Sequence, residues 1–135
     1  MILLDTQILI WFSQGDQRLR EEARKIIGDE ATKDEIAVSP ISFWEVAMLI
    51  KKNKLSLGMD VVDWTEAILR QPRIKIEPIS PAIAVDAGRL PGEIHGDPAD
   101  RLIVSTARSL VCPLLTADRK ILDYAAQGHL HAIKA

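Results

Sequence analysis

The sequence of 135 residues contains a single cysteine, Cys112, and carries a net charge of only −2. One cysteine excludes a disulfide framework and a zinc site built from several thiolates, and we expect this thiol to be a buried apolar group. The near-neutral charge gives no global basic field, so contact with a nucleic acid must depend on a local basic patch. Apolar runs fall short of a membrane span, and the first residues lack a basic segment followed by a cleavage site. We therefore expect a soluble cytoplasmic protein with no membrane partner.

Hydrophobic residues make up 47% of the chain, which is enough for the core of one domain spanning 1–135. Short apolar runs alternate with segments of helical periodicity, and neither a repeat nor a linker interrupts them. This alternation predicts an α/β fold with a central parallel sheet of four or five strands and helices on both faces. We place strands at 2–5, 35–38, 74–79, 114–116 and near 130–133, and helices at 6–12, 17–28, 40–52, 60–70, 81–90, 99–110 and 119–126. Pro78 predicts that the third strand lies at an edge of the sheet.

Four acidic residues stand where the surrounding pattern is apolar, namely Asp5, Glu45, Asp100 and Asp118. Asp5 and Asp118 follow strands and could cap the helices that come next. Asp97 stands before Pro98, which is a natural cap followed by a proline at the first helical position, and Asp100 would then be the acid of a capping box. Glu45 is different, because it lies inside the apolar helix "PISFWEVAMLI" with no basic residue three or four positions away. Burying a lone carboxylate is costly unless a cation compensates its charge. Glu45 therefore indicates a function.

The predicted topology brings these four acids to one edge of the sheet. In an open parallel sheet, ligands bind beyond the carboxyl ends of the strands, where Asp5 and Asp118 lie, and the helices carrying Glu45 and Asp100 border the same crevice. Clustered carboxylates repel one another, so we expect a divalent cation, and oxygen ligands favour Mg²⁺ or Mn²⁺. We expect Asp5 and Asp100 to bind it, and Glu45 and Asp118 to act directly or through water. Phosphodiester hydrolysis is the chemistry that fits such a site.

Four segments together resemble a known family. "LLDTQILIWF", "SFWEVAML", "HGDPADRLIVSTA" and "LLTADRKI" are similar to the acidic blocks of the PIN-domain ribonucleases, and most of all to the VapC-type toxins of bacterial toxin–antitoxin modules. The resemblance covers essentially the whole chain, in order and at the expected spacing. It implies Mg²⁺- or Mn²⁺-dependent cleavage of RNA, inhibition by a cognate antitoxin, and catalytic roles for Asp5, Glu45, Asp100 and Asp118.

The same resemblance extends to supporting residues. Thr6 and Thr116 match hydroxyl positions often found beside the acids, and His95 and Asp97 match a histidine-x-aspartate-proline stretch of one subgroup. That subgroup usually has an aromatic residue where this chain has Ala99. His95 is then a loop histidine near the substrate.

Basic and apolar residues around the acids predict contacts with partners. Arg101 is the best candidate for a phosphate contact, because the turn that holds Asp100 also holds it. The helices containing "ILIWF" and "ISFWEVAMLI" carry more large side chains than a core of this size needs, which predicts a groove for an amphipathic antitoxin helix and a homodimer. We interpret the three tryptophans as core or partner contacts.

Other functions are compatible with parts of the pattern. A non-catalytic RNA-binding or scaffold domain would keep the fold without the metal, although four intact acids argue against it. A pure protein-interaction module would leave Glu45 unexplained. An aspartyl phosphotransferase has an aspartate after its first strand, but it needs a second aspartate two positions later, where this chain has Gln7. The P-loop pattern GxxxxGK[ST] does not occur in the sequence.

Overall fold

The centre of the protein is one parallel sheet, seen in a computed structural model that describes residues 1–31 and 35–135. Its strands are β1 (Ile2–Leu4), β2 (Ile36–Val38), β3 (Ile74–Ile76), β4 (Leu114–Thr116) and β5 (Ala132–Lys134). They lie in the order β3-β2-β1-β4-β5, and every neighbouring pair is parallel. The predicted fold class is confirmed with five strands, and β3 lies at an edge, as Pro78 predicted.

Helices connect the strands wherever the periodicity predicted them. They are α1 (Thr6–Gln14), α2 (Glu21–Ala31), α3 (Ile41–Lys51), α4 (Val61–Leu69), α5 (Pro81–Gly88), α6 (Pro98–Leu110) and α7 (Arg119–Ala126). The largest correction concerns α2, which was predicted to begin at position 17. The Asp16 carboxylate accepts hydrogen bonds from the Arg18 amide and guanidinium, closing a turn that delays the helix. In the described part of the chain, no helix is long and apolar enough to cross a membrane.

Successive side chains of β1 point to opposite faces of the sheet, and the core is divided between these two faces. Ile2 and Leu4 pack into a cluster formed with α1, α2, α3 and α4. Leu3, between them, packs on the other side with side chains of α6 and α7. Each such side chain, fully buried, contributes about 1.5–3 kcal/mol to folding. The helices therefore cover both faces, as predicted, and Cys112 is buried in the second cluster.

The register of the sheet fixes which side chains meet at its carboxyl edge. Leu4 of β1 lies opposite Val38 of β2 and Leu115 of β4. The chain segments that leave these three strands therefore start side by side. This arrangement places Asp5 next to the end of β4, at the centre of the edge where ligands bind in such sheets.

One residue at the end of α6 adopts an unfavourable conformation. Val111 has φ 50° and ψ 47°, and its side chain is 90% exposed, so burial offers the valine no compensation. The Cys112 amide donates to the Ala107 carbonyl at 3.2 Å, which closes the helix through this left-handed residue. A β-branched residue in this region is a genuine outlier.

Val111→Asn is expected to stabilise the protein by about 1 kcal/mol, because asparagine tolerates the left-handed region. Denaturant unfolding measures the gain directly. The matched control is Val85→Asn, which replaces a half-exposed valine within α5 and should give no stabilisation. Equal unfolding free energies for Val111→Asn and the unmodified protein would contradict the expectation.

Candidate metal centre

A cavity of about 370 Å³ opens at the carboxyl ends of β1 and β4. Five acids share its wall, namely Asp5, Glu45, Asp97, Asp100 and Asp118. The four acids that the sequence placed in one crevice are therefore brought together, and Asp97 joins them. Gln7, Ile10, Trp11 and Leu49 complete the wall from α1 and α3.

Asp5 lies at the bottom of this cavity and is only 5% exposed. Its Oδ1 accepts a hydrogen bond from the Thr6 amide at 2.9 Å, and its Oδ2 accepts one from the Thr116 hydroxyl at 2.6 Å. Burial raises the pKa of Asp5 to about 6, although the Thr116 hydrogen bond opposes the shift, and the charges of Asp100 and Asp118 add to it. Asp5 therefore caps α1, as predicted, and is also a buried carboxylate whose ionised form is unfavourable in this environment.

Glu45 points into the cavity from the middle of α3. Its Oε1 accepts a hydrogen bond of 2.5 Å from the Thr6 hydroxyl, which is also 2.8 Å from the buried Ser42 hydroxyl. Burial raises the pKa of Glu45 to about 7, against the Thr6 hydrogen bond, and the carboxylates of Asp100 and Asp5 raise it further. Ser42 was missed in the sequence, although its position three residues before Glu45 places it on the same helix face.

The first turn of α6 presents two further carboxylates. Asp97 caps the helix, since its Oδ1 accepts a hydrogen bond from the Asp100 amide at 3.0 Å, as the structural interpretation of Asp97 required. The Asp100 Oδ2 lies 2.6 Å from His95 Nε2, and both side chains are less than a fifth exposed. Burial raises the pKa of Asp100, while the hydrogen bond with His95 opposes the shift. His95 therefore holds one oxygen of Asp100.

Asp118 combines a cap with a place in the cavity wall. Its Oδ1 accepts hydrogen bonds from the Lys120 and Ile121 amides at 2.8 and 3.2 Å, at the start of α7. The Asp118 amide in turn donates to the Thr116 hydroxyl at 3.0 Å, and the same hydroxyl donates to Asp5. Thr116 thus connects the two acids that follow β1 and β4. Capping and lining the site are compatible roles for Asp118.

The donor set fits a hard divalent cation. Among the described residues, Glu45, Asp97 and Asp100 form a group whose carboxylate oxygens lie within 4.8 Å of one another. Three carboxylates at this spacing repel one another, and oxygen ligands are those that Mg²⁺ and Mn²⁺ prefer. Asp97, to which the sequence gave only a supporting role, belongs to this close group. Its three-residue spacing from Asp100 was the signal, because it places both carboxylates on one turn.

Arg101 does not lie where the sequence predicted. Its Nε donates to the Ala87 carbonyl of α5 at 2.8 Å, and it is not part of the cavity wall. The helix turn after Asp100 directs the arginine toward α5, and its contact with a phosphate stays a prediction. Arg119 and Lys120 instead line a second depression, which contains Asp97, Asp100 and Asp118 as well.

Comparisons with known proteins agree with this architecture. The family described as PIN domain matches residues 2–127. Ribonuclease VapC22 of Mycobacterium tuberculosis (strain ATCC 25618 / H37Rv) is 35% identical over 123 residues, which cover 91% of each chain. A toxin-antitoxin complex from Klebsiella pneumoniae contains a chain with 25% identity and a TM-score of 0.65, covering 98% of this chain and 96% of that one. VapBC2 from Rickettsia felis, bound to a promoter DNA fragment, shares the fold at 21% identity with a TM-score of 0.71, covering 99% and 98%.

Proposed function

This chain belongs to the PIN domain family, and from that premise we propose that it is a Mg²⁺- or Mn²⁺-dependent ribonuclease and the toxin of a toxin–antitoxin pair. The observation that carries the proposal is the convergence of five acids on one cavity at the carboxyl edge of the sheet. A scaffold domain would have no reason to keep carboxylates whose pKa values are raised by burial and, in addition, by mutual repulsion.

The cation would be held by Glu45, Asp97 and Asp100, with Asp5 and Asp118 acting directly or through water from the same cavity. When bound, Mg²⁺ or Mn²⁺ supplies activation of a water molecule and compensation of charge on the attacked phosphate. Without it, the raised pKa values let Asp5 and Glu45 retain protons near neutral pH. Metal affinity should therefore increase as the pH rises through about 6 to 7.

The surrounding hydroxyl and imidazole groups orient the carboxylates. Thr116 holds Oδ2 of Asp5, Thr6 holds Oε1 of Glu45, and His95 holds Oδ2 of Asp100. Each of these contacts is made to one oxygen of its carboxylate, and the second oxygen of Asp5 accepts a hydrogen bond from the Thr6 amide. Such supporting contacts fix the direction of a ligand before the cation arrives.

The partner in this proposal is a cognate antitoxin, and the toxin itself pairs as a homodimer in the cytoplasm. Support comes from the name of the Klebsiella pneumoniae structure, which is a toxin-antitoxin complex. Large apolar side chains that remain half exposed, including Met59 and Val62, provide surface for such contacts.

Purified protein freed of any partner should cleave RNA when Mg²⁺ or Mn²⁺ is supplied and should stop when excess EDTA is added, because the clustered acids need a cation to compensate their charge. The measurement is the appearance of fragments from labelled RNA on a denaturing gel. Re-addition of Mn²⁺ after EDTA is the control that separates metal removal from unfolding. Cleavage that continues in excess chelator would exclude the metal mechanism.

A further inference from the structure

Three depressions join into one trough with the acids at its centre. The acid-lined cavity shares Glu45, Leu49 and Asp97 with a smaller depression of about 180 Å³ between α3 and the start of α6. On its other side, it shares Asp97, Asp100 and Asp118 with the depression that contains Arg119 and Lys120. Both ends of the trough therefore carry basic side chains, while the acids occupy the middle.

The smaller depression is bordered by a strip of three side chains, Trp44 and Met48 of α3 and Lys52 at its C-terminal cap, which we call the indole strip. The residues are four positions apart, so they follow one another along a single face of the helix. Trp44 is 52% exposed, which is unusual for so large an apolar side chain. The strip presents an aromatic surface, then a flexible thioether, then a positive charge, and its first residue is the neighbour of Glu45.

We propose that the indole strip is a nucleotide subsite, in which the Trp44 ring stacks on the base next to the cleaved phosphate and the Lys52 ammonium binds the following phosphate. This inference rests on the proposed ribonuclease function and names how that site holds its substrate. Every base has a π-face, so stacking on an indole suits RNA of any sequence. A strand whose phosphate lies among Glu45, Asp97 and Asp100 places its neighbouring nucleotide over the same depression.

The other tryptophans are engaged differently. Trp64 is 2% exposed and donates its indole N–H to the Ser13 hydroxyl at 3.1 Å. Trp11 packs beneath the Arg18 guanidinium, 5.4 Å from its ring centroid. Trp11 also lines the acid-lined cavity, but the Arg18 guanidinium covers its ring, whereas Trp44 is 52% exposed. The proposed subsite gives Trp44 a role beyond the core or partner contacts that the sequence predicted.

The opposite wall of the depression explains why space is available beside the indole. Ala99 and Pro98 form it, and the Ala99 side chain ends at its Cβ. The charge pattern also favours a nucleotide as occupant, because Lys52 brings a positive charge into a depression whose other charged groups are Glu45 and Asp97. A phosphate beside those acids needs such a cation.

The test measures binding of a fluorescein-labelled, unstructured RNA by anisotropy, with Ca²⁺ present to compensate the acids. Trp44→Ala should weaken binding about tenfold, the loss typical of one base–aromatic stack, while Trp44→Phe stays within about threefold of the unmodified protein. Leu69→Ala, which removes another half-exposed apolar side chain, is the matched control and should bind normally. Circular dichroism confirms that each variant is folded.

Lys52→Gln tests the other end of the strip. It should weaken binding about threefold and reduce the slope of log affinity against log salt by about 0.7, because one phosphate contact is lost. Lys51→Gln is its control, since Lys51 is the preceding exposed residue of α3 and does not border the depression. Equal salt slopes for the two glutamine variants would overturn the assignment of Lys52.

The decisive comparison uses RNA in which one base at a time is absent. If Trp44 stacks on a single base, Trp44→Ala no longer weakens the affinity for RNA that lacks this base, and it still weakens the affinity for RNA that lacks any other base. A penalty that is equal at every position overturns the subsite. So does a Trp44→Ala protein that binds RNA normally but changes from dimer to monomer in light scattering, since Trp44 then covers an interface between copies.

Failure of the proposed function would look different. Unmodified protein that binds RNA through Trp44 yet never cuts it with Mg²⁺ or Mn²⁺ would remove the ribonuclease and keep the subsite. If the unmodified protein cuts RNA normally and Trp44→Ala binds RNA as tightly as the unmodified protein does, the ribonuclease function stands and the subsite is overturned. Absence of any RNA binding would overturn both.

Discussion

Asp5→Asn is expected to reduce RNA cleavage by about a hundredfold or more and, at the same time, to make the metal-free protein more stable. The first effect follows because Asp5 is the acid at the base of the cavity, fixed by Thr6 and Thr116. The second follows because its charge is buried among other acids and unfavourable without a cation. Cleavage rates and thermal unfolding in EDTA measure the two effects separately.

The stability gain should depend on pH in a defined direction. The folded pKa of Asp5, about 6, lies above its ordinary value of 3.8, so the folded state binds the proton more tightly. Ionisation of Asp5 therefore lowers the stability of the unmodified protein as the pH rises from about 4 to about 6, by at most about 3 kcal/mol, and this contribution of Asp5 then remains constant. Asparagine has no such charge, so the difference should be large at pH 7.5 and vanish near pH 4.

Two results would contradict this account of Asp5. One is an Asp5→Asn protein that melts well below the unmodified chain in EDTA, which would make the carboxylate structural. The other is retention of normal cleavage. Asp63→Asn is the control, because Asp63 is an exposed acid of α4, outside the cavity wall, and should change neither activity nor the pH profile of stability.

Expression of this chain alone in a bacterial host should arrest growth, and co-expression of the product of the adjacent reading frame should restore it. The proposed ribonuclease attacks the RNA of its own cell, so survival requires a tight inhibitor. Growth curves after induction give the result, and sequencing of RNA ends identifies the cleaved RNA. Size-exclusion chromatography with light scattering then shows whether toxin and partner form one complex.

The inactive variant Asp5→Asn is the control that distinguishes growth arrest by RNA cleavage from slow growth caused by overproduction of a protein. Asp5→Asn should be harmless when expressed alone, yet it should still form the complex, because the proposed docking helix contacts apolar side chains. A chain that is harmless without its neighbour, stays monomeric and ignores the neighbour's product would count decisively against the toxin assignment. It would leave the metal site itself untouched.

Much of this site could be predicted because its acids lie in segments of the sequence that are otherwise apolar. Glu45 is an acid without a partner inside an apolar helix, a pattern that core packing alone does not produce. Asp5 and Asp118 follow short apolar runs whose parallel pairing brings their ends together. In both cases, the local pattern and the topology point to the same edge. Their metal-binding roles stay predictions that the mutants and chelation test.

The parts that sequence reasoning missed depend on packing between distant segments. A helical turn specifies the face on which Arg101 lies, but not that the carbonyl of Ala87 would be there to accept its Nε–H. The same holds for the start of α2, which Asp16 and Arg18 delay through a local turn. The exposure of Trp44 could not be predicted, because apolar composition indicates burial on average and cannot identify the one ring that remains half exposed.

The hydrogen bond between Thr116 and Asp5 joins residues 111 positions apart, and it has a consequence for the timing of activity during translation. β1 is made first but lies at the centre of the sheet, and it pairs with β4 near the other end of the chain. Contacts of such long range form late, since the intervening chain must be ordered first. A nascent chain on the ribosome therefore holds Asp5 without Thr116 or Asp118. The proposed nuclease can become active only after the segment that carries Thr116 and Asp118 has been made and has packed against β1.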